Sequence, residues 1–330
     1  MSQIVTFGEI LLRFSTSDQN RFSQSSQLAI TFGGSEANVA GALASWGSPC
    51  MHITALPENA IGKCAAEAFN KLGVNVQALP GSGRMGTYYI EGGVSLRSPQ
   101  IIYDRYHSVF SEATFKGLEW KNILAKAKWF HWSGITPAIS ASAAEACLTA
   151  VQTAKSMGVS VSGDINYRRN LWKYGKAPID IMPELIAHSD LIIAGTEDFK
   201  NSAGIPSNSF EDMCNLAINR FPNIKQIATT HRHTKNASNE SISATLWSKG
   251  NVSESETFHI APVVDRIGAG DAFMAGILYG ILNGYTDVET INFAAASCAL
   301  KHTIKGDVNL LSVQEVTALV NNERVGQLRR

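Results

Sequence analysis

Seven residues near the C-terminal end, Asp265-Arg266-Ile267-Gly268-Ala269-Gly270-Asp271, join an anion-binding backbone to a carboxylate. Thr257–Val264 before them reads as extended chain, and Ala272–Tyr279 after them is apolar and small at helical spacing. Gly268, Ala269 and Gly270 therefore form a tight turn that opens a helix. Glycine lets backbone approach a ligand, and first-turn N–H groups have no helical acceptor, so such a turn suits an anion. Asp271 in the same turn adds a base beside a transferring phosphoryl group. The same residues also read as an N-capping Asp on an ordinary helix.

Other residues could recognise a ligand. Gly34 in Gly33-Gly34 allows close approach, and the Asn38 amide offers a donor and an acceptor. Arg105 lies between Tyr103 and Tyr106, and Arg168 follows the strand end Gly163–Asn166. Arginine forks bind carboxylate bidentately and stay charged. Each arginine alone also reads as a surface residue. His231-Arg232-His233 follows the strand Ile227–Thr230. It reads as an exposed loop, or as a phosphate-facing loop end using Thr230 and Arg232.

Positioning these groups requires alternating strands and helices. Ile4–Phe7, Met51–Leu56, Val74–Leu79, Lys128–Ile135, Val159–Asp164, Leu191–Ala194 and Lys225–Thr229 read as strands. Helices fall at Ser35–Trp46, Ile61–Leu72, Ser140–Met157, Pro183–His188 and Phe210–Phe221. The chain closes with a hairpin, Ser243–Trp247 with Glu256–Ile260, and helices at Asp271–Asn283, Val288–Thr303 and Val313–Val320. The fold class is α/β: a parallel sheet with helices on both faces and ligands beyond the carboxyl ends of its strands. From Gly86 to Phe110 the helical period disappears, and Thr87–Ile90 and Gln100–Tyr106 read as strands of a small projecting sheet. The 330 residues form a single domain, with insertions at roughly 9–33 and 86–110 that would cover a site as a lid.

Composition narrows the function. Lys+Arg and Asp+Glu are both 28, so no general field draws nucleic acid or an anionic membrane. Any site for a negative substrate must be local. Five scattered cysteines with no CxxC pair argue against a disulfide framework or zinc site and for free thiols in a cytoplasmic protein. The N-terminus lacks a signal-peptide pattern, and no apolar run is long enough to span a membrane. Gly81-Ser82-Gly83-Arg84-Met85-Gly86 matches GxGxxG literally, but extended chain follows it, so it is no dinucleotide fingerprint.

Gly33-Gly34-Ser35-Glu36-Ala37-Asn38 and Asp265–Asp271, about 230 residues apart and in this order, resemble the two glycine motifs of the ribokinase-like (PfkB-type) carbohydrate kinases, and the resemblance spans essentially the whole chain. Within that family the sugar-acid kinases acting on 2-keto-3-deoxygluconate are most similar. The residues behind this are Phe7–Arg13, Tyr103-Asp104-Arg105, Asp164–Arg168 with Leu171-Trp172, Ala228–Thr230 and Leu300–Asp307. The resemblance implies a ribokinase-like sandwich with a small β-sheet lid. It also implies ATP with Mg2+ bridging phosphates rather than held in a protein cage, and association of copies through the lid. Asp271 would take the proton of the sugar hydroxyl, with Gly268, Ala269 and Gly270 as the anion hole. Gly34, Asn38, Tyr89, Tyr103, Arg105 and Arg168 would line the sugar-acid site, the two arginines reading its carboxylate. Thr230, Arg232, Asp198 and the 295–303 helix would lie near ATP. Asp265 and the backbone of Ile267 stand where such kinases hold K+.

One departure stands out. The family's Asn-x-x-Glu, tied to Mg2+ and phosphate, is here Gly195-Thr196-Glu197-Asp198. Asp198 keeps a carboxylate, but Gly195 supplies no amide. The expected function is ATP-dependent phosphorylation of 2-keto-3-deoxygluconate to its 6-phosphate. The alternatives are a kinase of a neutral sugar such as fructose, or a sugar-binding protein with weakened catalysis.

Overall fold

A computed structural model describes residues 3–323. The chain opens with β1 (Gln3–Phe7), then leaves the main body as the hairpin β2 (Leu11–Thr16) and β3 (Leu28–Gly33). It returns through α1 (Ser35–Ser45), β4 (Cys50–Pro57), α2 (Ala60–Asn70) and β5 (Val74–Gly81). A second excursion forms β6 (Thr87–Glu91) and β7 (Gln100–Asp104). Two single turns, α3 (Val109–Glu112) and α4 (Trp120–Ile123), lead to β8 (Ala127–Ser133). Then come α5 (Thr136–Ile139), α6 (Ala141–Ser156), β9 (Ser160–Asp164), α7 (Pro178–Ala187), β10 (Leu191–Ile193), α8 (Thr196–Ala203) and α9 (Phe210–Arg220). The last third is β11 (Gln226–Asn236), β12 (Asn239–Ser248), β13 (Asn251–Glu254), β14 (Phe258–Ile260), α10 (Ala269–Leu282), α11 (Asp287–Lys301) and α12 (Val313–Val320).

The main sheet runs β13-β12-β11-β10-β9-β8-β1-β4-β5, with β14 paired to β12. From β5 to β11 every pairing is parallel. Parallel sheets are covered on both faces, so their strands are apolar on both sides. In β1, Ile4 enters a core beneath α1, α10 and α11, whereas Val5 and Phe7 enter the opposite core beneath α6, α7 and α9. The small sheet has the order β3-β2-β6-β7. Its β2 follows β1, and its β6 follows β5. Both excursions thus leave the carboxyl ends of parallel strands, which places the small sheet over the sheet edge where α/β proteins bind ligands.

Two sequence expectations need correction. His231-Arg232-His233 is not a loop: β11 continues to Asn236 and pairs antiparallel with β12 along its length. The arm is polar on both faces, so its strand pairing rests on backbone hydrogen bonds and left no alternation to read. The expected hairpin of Ser243–Trp247 with Glu256–Ile260 is also rearranged. β12 takes β11 on one side, and β13 and β14 on the other. Helix α8 was missed because it is short and, apart from Phe199 and Ala203, buries little apolar surface.

Candidate active site

The Gly268 turn is built by a close approach. Gly268 has φ +79°, and a Cβ there would lie 1.7 Å from the Asp307 carbonyl oxygen. Only glycine fits both demands. The turn starts α10, whose Ala272 N–H donates to the Gly268 carbonyl at 2.8 Å. Ala269 N–H donates to the Arg266 carbonyl at 3.3 Å, so this N–H of the expected anion hole is partly engaged. Gly270 is exposed, and the space where a Cβ would stand is open. Its N–H belongs to the helix's first turn and lacks a helical acceptor.

Asp271 is held from α1. Ser35 Oγ donates to one carboxylate oxygen at 2.9 Å, and Asn38 Nδ2 donates to the other at 2.7 Å. Asn38 Oδ1 in turn accepts from Gly34 N at 3.2 Å, which fixes the amide's orientation. Gly34 is required by packing: a Cβ there would lie 2.1 Å from the Glu9 carbonyl. Burial pushes the Asp271 carboxyl up to about 6, against the Asn38 and Ser35 hydrogen bonds; Asp307 adds to the rise and Arg168 opposes it. The result is an oriented carboxylate that titrates near neutrality, in a turn that offers backbone donors.

These residues line a cavity of about 810 Å³ between the sheet edge and the small sheet. That volume lies toward the upper end for ligand pockets. Gly34, Asn38, Tyr103, Arg105, Arg168, Arg232, Asp265, Ile267 and the Gly268–Asp271 turn all line it. The glycine motifs at the two ends of the chain therefore meet in one place.

Other expected site residues sit elsewhere or are already engaged. Tyr89 lies on the opposite face of β6, stacked on Phe14 at 5.1 Å. Its neighbour Tyr88 faces the cavity and donates to Asp307 Oδ2 at 2.5 Å. Successive side chains of a strand alternate faces, so the choice between adjacent tyrosines turns on register. Arg105 is buried, and its Nε and Nη2 donate to Glu9 Oε2 at 3.0 and 2.5 Å; an internal carboxylate already matches its charge. Arg168 is exposed and donates only to its neighbour's carbonyl, that of Tyr167, at 3.1 Å. Among the described residues, Arg168 and Arg232 are the cavity arginines without an ion pair. Thr230 lies in β11, paired with Ala244, and is not among the cavity residues.

The Asp265 carboxylate is bonded from within the fold. It accepts from Arg13 Nη2 at 2.5 Å, Ile267 N at 3.0 Å and Gly306 N at 3.1 Å. Asp198 sits in the first turn of α8, where its carboxylate accepts from Gly195 N at 2.9 Å and Tyr167 N at 3.4 Å; it does not line the cavity. The 295–303 stretch forms the end of α11, which is largely buried.

Several cavity residues carried no expected role. Asp164, at the carboxyl end of β9, is pushed up to about 8 by burial, then by Asp198 and Asp271, with Arg168 opposing. Glu36 is buried and raised to about 7 by desolvation, although it accepts from Thr136 Oγ1 at 2.6 Å and Ser133 N at 3.1 Å. Arg13 joins Asp265 to Asp307. An arginine between apolar residues on a strand was the sequence signal for this, because buried charge is almost always paired.

The model of the pfkB family carbohydrate kinases matches residues 1–312. The 2-dehydro-3-deoxygalactonokinase of Haloferax volcanii is 28% identical over 326 residues, covering 98% of both chains. The crystal structure of 2-dehydro-3-deoxygluconokinase from Thermotoga maritima superposes with a TM-score of 0.92 at 35% identity, covering 97% of this chain and 100% of that one. A putative 2-keto-3-deoxygluconate kinase from Enterococcus faecalis superposes with a TM-score of 0.90 at 27% identity, covering 100% and 99%.

Proposed function

The chain belongs to the pfkB family of carbohydrate kinases, and from that premise we propose that it phosphorylates 2-dehydro-3-deoxy-D-gluconate on its primary hydroxyl, with ATP as donor, to give the 6-phosphate. The observation that carries this reading is the pairing of Asp271 with Arg168 in one cavity. Asp271 is an oriented carboxylate in a donor-rich turn, and Arg168 is an exposed guanidinium that bonds only its neighbour's carbonyl and forms no ion pair among the described residues. The names of the similar kinases support a sugar acid over a neutral sugar.

Asp271 accepts the proton of the attacking hydroxyl. The hydroxyl oxygen bonds to the γ-phosphorus as the bond to the leaving ADP oxygen breaks. Gly268 and Gly270 turn backbone donors toward the transferred group, where charge spreads over its oxygens. Arg168 binds the sugar-acid carboxylate as an uncommitted fork, Asn38 orients the base, and Tyr103 covers the sugar from β7. Arg232 supplies positive charge on the nucleotide side.

Mg2+ fits as a phosphate-bound ion rather than a caged one. Among the described residues no three His, Cys, Asp or Glu side chains form a metal cluster. Asp164 is nevertheless raised to about 8, by burial first and then by the charge of Asp198. Those two carboxylates would sit on the metal's outer side, directly or through water, and the ion would neutralise charge on the phosphates.

The test is ATP consumption with 2-dehydro-3-deoxygluconate, its galacto epimer, fructose and ribose. Turnover of the two sugar acids well above the neutral sugars is expected. Preference for fructose would sink the sugar-acid assignment, and sugar binding without turnover would make the chain a binder.

A further inference from the structure

We propose that Arg13 is a positioning residue for phosphoryl transfer: its guanidinium, carried on the small sheet, sets the conformation of the Gly268–Gly270 turn through Asp265 and Asp307. The proposal rests on the reading of that turn as the phosphoryl site.

The geometry converges from three segments. Arg13 projects from β2 and is 5% exposed. Its Nη2 donates to Asp265 Oδ2 at 2.5 Å, its Nη1 to Asp307 Oδ1 at 2.7 Å, and its Nε to Ser15 Oγ at 2.7 Å. Every nitrogen of the fork thus has a partner. Both aspartates also adjoin the turn. Asp265 stands three residues before Gly268 and accepts from Ile267 N–H. Asp307 lies under the turn, with its carbonyl pressed against Gly268. Its side chain fills the space where a Gly33 Cβ would stand, 2.0 Å from Oδ2. Tyr88, from β6 of the same small sheet, donates to that oxygen at 2.5 Å. Two strands of the small sheet therefore grip the turn through one buried network.

The choice of arginine follows from the two acceptors. A planar fork can satisfy two carboxylates from separate segments at fixed angles, whereas an ammonium is a point charge without that directionality. The other buried cation nearby, Lys301, sends its Nζ to the Ile304 carbonyl at 3.4 Å and has no ion pair to either aspartate. Without Arg13 the two carboxylates would lose their direct cation and keep only the longer-range charge of Lys301, and the turn they flank would shift. A displacement of about 1 Å at a phosphoryl site costs on the order of 10²-fold in rate.

Removing one partner of a buried pair is itself destabilising, whereas removing Arg13 together with Asp307's charge keeps the network's net charge and leaves Asp265 on the Ile267 and Gly306 N–H groups. The informative variant is therefore R13M/D307N, compared with R13M and R13K. We expect R13M to lower the melting temperature sharply and R13M/D307N to recover most of it. The double variant's kcat should remain about 10²-fold below wild type with sugar-acid KM little changed. R13K should fold and show an intermediate loss of kcat. Amide hydrogen exchange in the 265–271 peptide should speed up in the double variant, while exchange in α6 stays as in wild type. Full recovery of kcat in the stable double variant, or wild-type kcat in R13K, overturns the proposal. Unchanged exchange at 265–271 overturns it as well, even if no sugar of the panel is turned over. That last case would separately refute the proposed function, so the two failures are told apart.

Discussion

The cavity has a satisfied side and an unsatisfied side. Beneath the small sheet, Arg13 meets Asp265 and Asp307, and Arg105 meets Glu9, all buried and all at hydrogen-bonding distance. At the carboxyl end of β9 the count does not balance. Burial raises the Asp164 carboxyl to about 8, with Asp198 and Asp271 adding to the rise and Arg168 opposing it; burial also raises Asp271 to about 6, against its Asn38 and Ser35 hydrogen bonds. A closed network fixes shape, because each member already has its partner. An open one has electrostatic work left to do, and perturbed carboxyls in a cleft mark a functional site. The division assigns geometry to the first side and chemistry to the second.

The hardest blow to this division is Asp271→Asn. It removes the base while keeping a side chain that Ser35 and Asn38 can still bond. We expect kcat to fall about 10²–10⁴-fold, measured as ADP release, with sugar-acid affinity intact. Near-wild-type turnover would move the chemistry elsewhere. The pH dependence carries the same signature. Asp271 works as a base only when ionised, and its free-enzyme value is about 6. So kcat/KM should be flat above that pH and fall about tenfold per unit below it.

Arg168→Ala tests the open side from its cation. It should raise KM for a sugar acid on the order of 10–100-fold, the worth of a charge-assisted contact, and leave a neutral sugar almost unaffected. Arg168 also holds the Asp271 carboxyl down, so its loss should move the acid limb to higher pH. Equal losses for acid and neutral sugars would mean that Arg168 does not read the carboxylate.

The same contrast explains what the sequence revealed. The alternation of strands and helices was legible because parallel strands, covered on both faces, read as apolar runs. The glycine turns were legible because close approach permits nothing larger. The closed network was not: Arg13 bonds partners 252 and 294 residues away, and no spacing rule spans such distances. Tyr88 was missed for Tyr89 because a strand's facing depends on a register that only pairing sets. Arg105 looked free because Glu9, 96 residues upstream, was not known to be beside it.

Asp164→Asn probes the imbalance as stability. A carboxyl raised from its usual value of 3.8 to about 8 takes up protons on folding. Its ionisation therefore destabilises the protein progressively as pH rises from about 4 to about 8, and the full penalty applies above that window. Replacing it with the neutral amide should raise the melting temperature by several degrees at pH 8.5 and leave it almost unchanged at pH 4. A loss of stability at both pH values would place Asp164 among the satisfied groups and blur the division.

The smallest change concerns Gly195, at the N-terminus of α8. Its φ of −96° is ordinary for any residue. A Cβ there would stand 3.6 Å from Asp198 Oδ2 and 3.8 Å from Thr229 Oγ1, which is normal contact. Packing therefore does not demand glycine, and Gly195→Asn should fold as well as wild type, with a change of a few tenths of a kcal/mol from the better N-cap. The added amide would stand beside Asp198, which acts on the cavity carboxyl of Asp164 from outside the lining. If the open side organises the metal–nucleotide, the Mg2+ concentration for half-maximal turnover should fall a few-fold while sugar-acid KM stays fixed. An unchanged Mg2+ requirement would detach Gly195 and Asp198 from phosphate binding and leave Asp164 and Asp271 as the whole of the open side.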